Sequence, residues 1–383
     1  MNKENPVRSI WPNKTQIDLI KAATLEGAQA LHFWNDFINH EPDLTHPTNQ
    51  QLLPFVYYNL VIRQHVDGFK LQSTLKKYYL TCYANNHYAL NSIVEPLKKI
   101  RQCGIPVMAI KGFSYLPLLY KDKGARVMSD IDLLVSEADF HQAAIILEEC
   151  GWKTFKCRPL KTYNPRSVHA LSYFDSAGNC IDLHCHLLHI DLHINANEDY
   201  WQAAEVCVFQ NIPINTLCIT DHLLHVCVHG LSLTDATPSL RWIVDALFIL
   251  KQDSIDWDRL IFIAKKKNLS LCLFSALSYI AAHFSAPIPA MALQTLHDIP
   301  VTRCERKMFE LMHTQTNLIK KQQYIFYGIY RNSPDKTWMH CLIQYLKRVA
   351  ITDRMLLVPF KLPGRIVWKL KRELKLFARD KAR

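Results

Sequence analysis

The chain has 383 residues, 49% of them hydrophobic, and a formal net charge of +11. That length predicts two or three packed lobes with sizeable cores, and no apolar run reaches the ~18 residues of a membrane-spanning helix. The surplus of positive charge favours an anionic partner such as a nucleotide, a nucleic acid or a membrane surface.

Glycine is scarce, 10 residues in all against a usual ~7%, which together with long amphipathic stretches predicts a helix-rich protein. The twelve cysteines lie mostly in apolar runs without a C-x-x-C pair, and the first residues carry no signal-peptide pattern. The expectation is reduced core thiols in a cytoplasmic protein.

Up to Gln102 the pattern is helical. Residues 16–38 have apolar positions at helical spacing and predict one helix ending before His40-Glu41-Pro42. A polar loop (43–50), an apolar stretch beginning at Leu52 and two helices (75–91 and 92–103) follow, and Gly104-Ile105-Pro106 stops the last of them. An apolar run at 107–110 then breaks at Lys111-Gly112. Helical spacing over 113–120 leads through a polar turn (121–124) to Asp130-Ile131-Asp132-Leu133-Leu134-Val135. Ser136 to Asp139 cap a helix that runs to Cys150 and stops at Gly151. A short strand (152–155), a basic loop with Lys156, Arg158, Lys161 and Arg166, and a β-hairpin with arms 169–174 and 180–187 come next. Beyond Pro213 the spacing turns helical again, with candidates from Asp221, from Arg241 and over 254–267, 270–284 and 302–315.

The residues that carry chemistry cluster in the middle. Strand side chains alternate faces, so Asp130 and Asp132 point together while Ile131 and Leu133 point the other way. Paired carboxylates repel, and a divalent cation removes the conflict; carboxylate oxygens suit Mg²⁺. The alternative is an edge strand with two surface acids, against which the following Leu-Leu-Val argues. On the second hairpin arm the same alternation puts Asp182, His184 and His186 on one face, with Ile181, Leu183, Cys185 and Leu187 toward the core. His184, His186, His189 and His193 also permit a zinc reading, although strand and helical spacings are mixed. Lys111 and Gly112 sit where a strand gives way to a helix, a place suited to phosphate. In the last third, Asp221, His225 and His229 share a helical face, and Arg241 and Asp245 have the spacing of an i,i+4 ion pair. From Arg365 to Arg383, Val367, Leu370, Leu374 and Phe377 form one face of a basic amphipathic helix, able to dock on the protein or on an anionic membrane.

These motifs resemble the nucleotidyltransferase superfamily of DNA polymerase beta and the kanamycin nucleotidyltransferases. They come closer to poorly characterised bacterial nucleotidyltransferases that carry K-G, a Tyr, and R-x-x-x-D-I-D-L-L-V, matched here by Lys111, Gly112, Tyr120, Arg126, Asp130 and Asp132. In this chain Phe113 separates Gly112 from Ser114, where the superfamily has Gly and Ser adjacent. The resemblance implies an α+β fold in which a small mixed nucleotidyltransferase sheet with flanking helices (residues 99–215) lies between a helical N-terminal lobe (1–98) and a helical C-terminal lobe (216–383). It implies Asp182 as a third catalytic acid and two Mg²⁺ ions held by Asp130, Asp132 and Asp182. Lys111, Gly112, Ser114 and Arg126 would contact an NTP donor, with Arg126 reaching the nucleotide or clamping a loop. The reaction would move a nucleoside monophosphate to an acceptor that is a small molecule, a glycan precursor, RNA or a protein. A catalytically silent nucleotide-binding scaffold and a zinc hydrolase are the alternatives.

Overall fold

In a computed structural model the described residues are 11–154, 169–189, 191, 195–231, 239–252 and 254–313, with a few positions between 326 and 346. His193, the basic loop at 156–166 and the amphipathic tail from Arg365 lie outside them.

The chain forms an α+β structure around a seven-stranded mixed sheet. Its strands are β1 (Met108–Ile110), β2 (Ile131–Leu134), β3 (Lys153–Thr154), β4 (Ala170–Phe174), β5 (Cys180–His184), β6 (Glu205–Phe209) and β7 (Ile212–Thr216), in the order β3-β4-β5-β2-β1-β7-β6. The β2–β5 and β1–β7 pairs are parallel and the others antiparallel. β2 is therefore the central strand, as the Leu-Leu-Val run predicts.

Alternation along the strands builds two cores. Ala109, Ile131, Leu133, Ile181 and Leu183 pack against the helices Val94–Gln102 and Phe140–Glu149, which contribute Leu97, Ile100, Phe140 and Leu147. Met108, Ile110 and Leu134 project from the other face into a cluster built by helices from both flanks, including Leu19, Trp34, Leu223 and Ile243. Each such side chain, fully buried, stabilises the fold by ~1.5–3 kcal/mol. Asp132 lies between Ile131 and Leu133, so it faces the second core, toward the helices.

Three expectations are corrected. The helix predicted over 16–38 is two helices, Lys14–Thr24 and Gly27–Asn39. Between them the Asn59 amide donates to the carbonyls of Ala22 and Leu25, at 2.9 and 2.7 Å, satisfying the end of the first helix. The helical spacing over 113–120 is an α-helical turn, Lys111–Tyr115, that widens into a π-helical segment, Leu116–Tyr120. Pro117 has no N–H to give and so cannot continue the α-helical ladder. Finally, the hairpin β6–β7 has no counterpart in the sequence reading. Its two-residue turn, Gln210-Asn211, has positive φ at both positions, 45° and 66°, the geometry of a tight β-hairpin.

Candidate active site

β2 and β5 run side by side with Asp132 opposite Asp182 in register. The two carboxylates and the His184 imidazole bring one ligand atom each to within 4.8 Å of one another. His184 also fixes Asp132, its Nε2 lying 2.8 Å from Asp132 Oδ1. Lys111 donates to the same oxygen at 2.5 Å. This lysine takes a left-handed φ of 52° at the junction of β1 and the helix Lys111–Tyr115, which turns its side chain back across β2. Asp130 sits one residue before β2 and accepts from Ser129 Oγ at 2.8 Å.

The electrostatics divide the acids. Burial alone would raise the Asp132 carboxyl, but the Lys111 ammonium and the His184 hydrogen bond outweigh it and hold the group well below the usual carboxylate range. Asp130 moves the other way, pushed up by burial and by the neighbouring charge of Asp132. Burial opposes the charge of Lys111, yet Asp132, Asp130 and Asp182 together keep its pKa above the ordinary lysine value.

These groups line a cleft of about 390 Å³ between the sheet and the helices that follow β7. Of the sequence-predicted residues, Lys111, Gly112, Arg126, Asp130, Asp132 and Asp182 all face it. Ser114 does not: it is fully buried, and its hydroxyl donates to the Lys111 carbonyl at 2.9 Å. Gly112 is required by close approach, since a Cβ there would collide with Arg126 Nη1.

Arg126 acts as a clamp. Its Nε and Nη2 donate to the two oxygens of Asp245 at 2.8 Å each, and Tyr120 Oη donates to the same carboxylate at 2.7 Å. This corrects the i,i+4 pairing of Arg241 with Asp245. Arg241 instead donates to the Val127 carbonyl at 2.6 Å and to Ser239 at 3.2 Å. It faces the cleft, and burial together with the like charge of Arg126 pushes its pKa down to about 10. A guanidinium in a cleft wall with no carboxylate partner among the described residues is the feature most suited to an anion, and its pairing pattern in sequence concealed it.

The histidines also divide. His169, His184, His189, His225 and His229 line the cleft. His186 does not share the face of His184: the strand ends there, His186 turns toward Glu137 at 3.9 Å, and Leu187 joins the cleft wall instead of the core behind β5. Asp221 is likewise absent from the cleft, paired with Arg259 at 2.6 Å.

A protein-family model described as an uncharacterised nucleotidyltransferase matches residues 46–285, a span that contains the whole sheet and every cleft residue named above. Among solved structures, an antigenic nucleotidyltransferase-like protein from Paracoccidioides brasiliensis is similar at 13% identity and a TM-score of 0.36, over 53% of this chain and 92% of that one. No protein of curated function matches the sequence.

Proposed function

The chain belongs to the uncharacterised nucleotidyltransferase family, and on that premise we propose that it moves a nucleoside monophosphate from an NTP to an acceptor, the acceptor oxygen bonding the α-phosphorus as the α–β phosphoanhydride breaks and pyrophosphate leaves, with Mg²⁺ held by Asp130, Asp132 and Asp182. The observation that carries this reading is the convergence of Asp132, Asp182 and His184 on adjacent central strands. The donor set fits a divalent cation: two carboxylates that repel each other are held at one point, and both protein bonds to Asp132 fall on Oδ1. When bound, the ion neutralises phosphate charge and polarises the phosphoryl oxygens.

The protein's own groups supply the rest. Arg241 and Lys111 offer cations to the triphosphate at the acid-lined end of the cleft. Arg126 and Asp245 fix the loop before β2, so that Asp130 and Asp132 are pre-positioned. His184 orients Asp132 and excludes water from its buried side. Asp182, on the neighbouring strand opposite Asp132, accepts the proton of the acceptor hydroxyl.

The test is transfer of α-labelled NTP by the purified protein with Mg²⁺, compared with Asp132→Asn and Asp182→Ala. Both variants lose turnover by at least ~100-fold while remaining folded, and Asp182→Ala keeps most of its NTP affinity. Near-wild-type turnover in either would refute the acid assignment. The imidazole in the ligand set is what a zinc reading would rest on, and metal analysis of the purified protein separates the two.

A further inference from the structure

Part of the cleft lining is built from uncharged polar side chains that the fold leaves unsatisfied. Tyr115, His225 and Trp242 all line the cleft and are buried, at 2%, 1% and 4% exposure. Tyr115 Oη, both nitrogens of His225 and Trp242 Nε1 have no hydrogen-bond partner among the described residues. Buried polar atoms are nearly always paired, so several orphans facing one cavity indicate groups kept for a ligand. The helix Ile219–Gly230 presents His225 and His229 on one side, their rings 5.8 Å apart.

These uncharged groups adjoin the acids and the cations that pair with them. His169 stands edge-on to His184 at 4.7 Å and to His189 at 5.9 Å, and His184 bonds Asp132. His225 and His229 feel the charges of Lys111 and Asp132, whereas Arg241 feels those of Arg126, Asp245 and the acids. The cleft thus sets imidazole, phenol and indole beside its charged groups, with the Arg126 guanidinium 5.4 Å from the centre of the Tyr115 ring.

We propose that these unpaired groups form the acceptor subsite, and that it takes a neutral, polyhydroxylated molecule bound by Tyr115, His225 and Trp242. The inference rests on the nucleotidyltransferase reading of the cleft. A hydroxyl both donates and accepts, and a neutral imidazole offers one of each, while the indole and phenol supply further donors. Burial, then the neighbouring His229 and Lys111, keep the His225 ring neutral, so it does not attract an anion. Leu188 and Val226 cover the remaining wall and suit the C–H faces of such a molecule.

The test uses full-length protein with ¹⁵N-labelled histidine side chains, titrated with methyl glucoside or glycerol as neutral probes and inorganic phosphate as the anionic one, with NTP affinity measured in parallel. A neutral probe shifts the His225 ring nitrogens and phosphate does not. The probe's dissociation constant rises about tenfold in His225→Leu or Trp242→Phe, as expected for one lost buried hydrogen bond, and much less in His225→Gln. NTP affinity changes less than twofold in each variant. Shifts with phosphate alone, no shift with either probe, or parallel loss of NTP affinity would overturn the proposal. Failure of wild-type protein to bind NTP would instead remove the nucleotidyltransferase reading, while the neutral-probe shift is scored independently. If His225→Leu does not fold, wild type, His225→Gln and Trp242→Phe decide.

Discussion

Removing the carboxylate of Asp245 tests whether the cleft is held by a single buried clamp. Asp245 accepts from Arg126 Nε and Nη2 and from Tyr120 Oη, and the side chains of the ion pair are 9% and 1% exposed. Asp245→Ala strands a guanidinium that bonds no other acid among the described residues. Breaking a buried pair in this way costs ~3–5 kcal/mol, and the orphaned Tyr120 hydroxyl adds ~1 kcal/mol. Arg126→Met costs less, because the carboxylate left behind keeps Tyr120 and can take up a proton. The double variant Arg126→Met/Asp245→Leu removes both charges and recovers most of the loss, since an apolar pair of similar volume is often as stable as the ion pair. Urea unfolding followed by circular dichroism gives the three free energies, with the slope checked to be constant. A loss below ~1 kcal/mol for Asp245→Ala would refute the clamp. So would a double variant as unstable as the two single losses added together, because that would mean no coupling between the groups.

The two acids before and on β2 differ in their effect on the metal-free protein. Asp130→Asn stabilises it at neutral pH by removing a carboxylate that burial and Asp132 disfavour, whereas Asp132→Asn destabilises it by stripping Lys111 and His184 of their partner; thermal unfolding in chelator reads both signs. Asp130, with its raised folded pKa, penalises the fold only while it is ionised, so the gain from Asp130→Asn fades as pH falls through the carboxylate range. His222, bonded to Thr216 at 3.0 Å, is held down to about 3 by burial. Its depressed pKa leaves stability intact above pH ~6.5 and removes on the order of 4 kcal/mol as pH falls from there toward 3, a slope that flattens in His222→Asn. Arg241→Met weakens NTP binding by about tenfold in calorimetry, and an unchanged affinity would remove Arg241 from the phosphate site. For the tail, vesicle co-sedimentation compares the full chain with a version ending at Pro363. Salt-sensitive pelleting of the full chain alone on anionic lipid is the membrane outcome, and equal negligible pelleting is the docked one.

The acids and the cleft were legible in the sequence to different degrees. Asp130-Ile131-Asp132-Leu133-Leu134 announces its own strand and facing, because a period of two with apolar neighbours has only one burial solution. The hairpin carrying Asp182 was readable for the same reason, up to His184. Beyond it the strand ends, and the alternation that placed His186 and Leu187 no longer applies. β6 and β7 escaped because Val206 and Val208 are exposed and Pro213 interrupts the second arm; the signal was the Gln210-Asn211 turn. The Arg126–Asp245 clamp spans 119 residues of sequence. Local spacing assigned Asp245 to Arg241 and so hid both the clamp and the cation it releases into the cleft.

The pairing of β1 with β7 has a consequence for how the protein is made. Met108 and Ala109 meet Asn215 and Thr216 in parallel register, more than a hundred residues later. On a ribosome adding ~5–20 residues per second, β1 waits roughly 5–20 s after it emerges before its second strand partner exists. During that interval Met108-Ala109-Ile110 presents an apolar edge beside the already available β2, the kind of surface that recruits strands from other chains. Slowing synthesis between β1 and β7 therefore lowers the yield of native protein, and any chain that stops before residue 212 keeps its acid pair beside an edge it cannot cover.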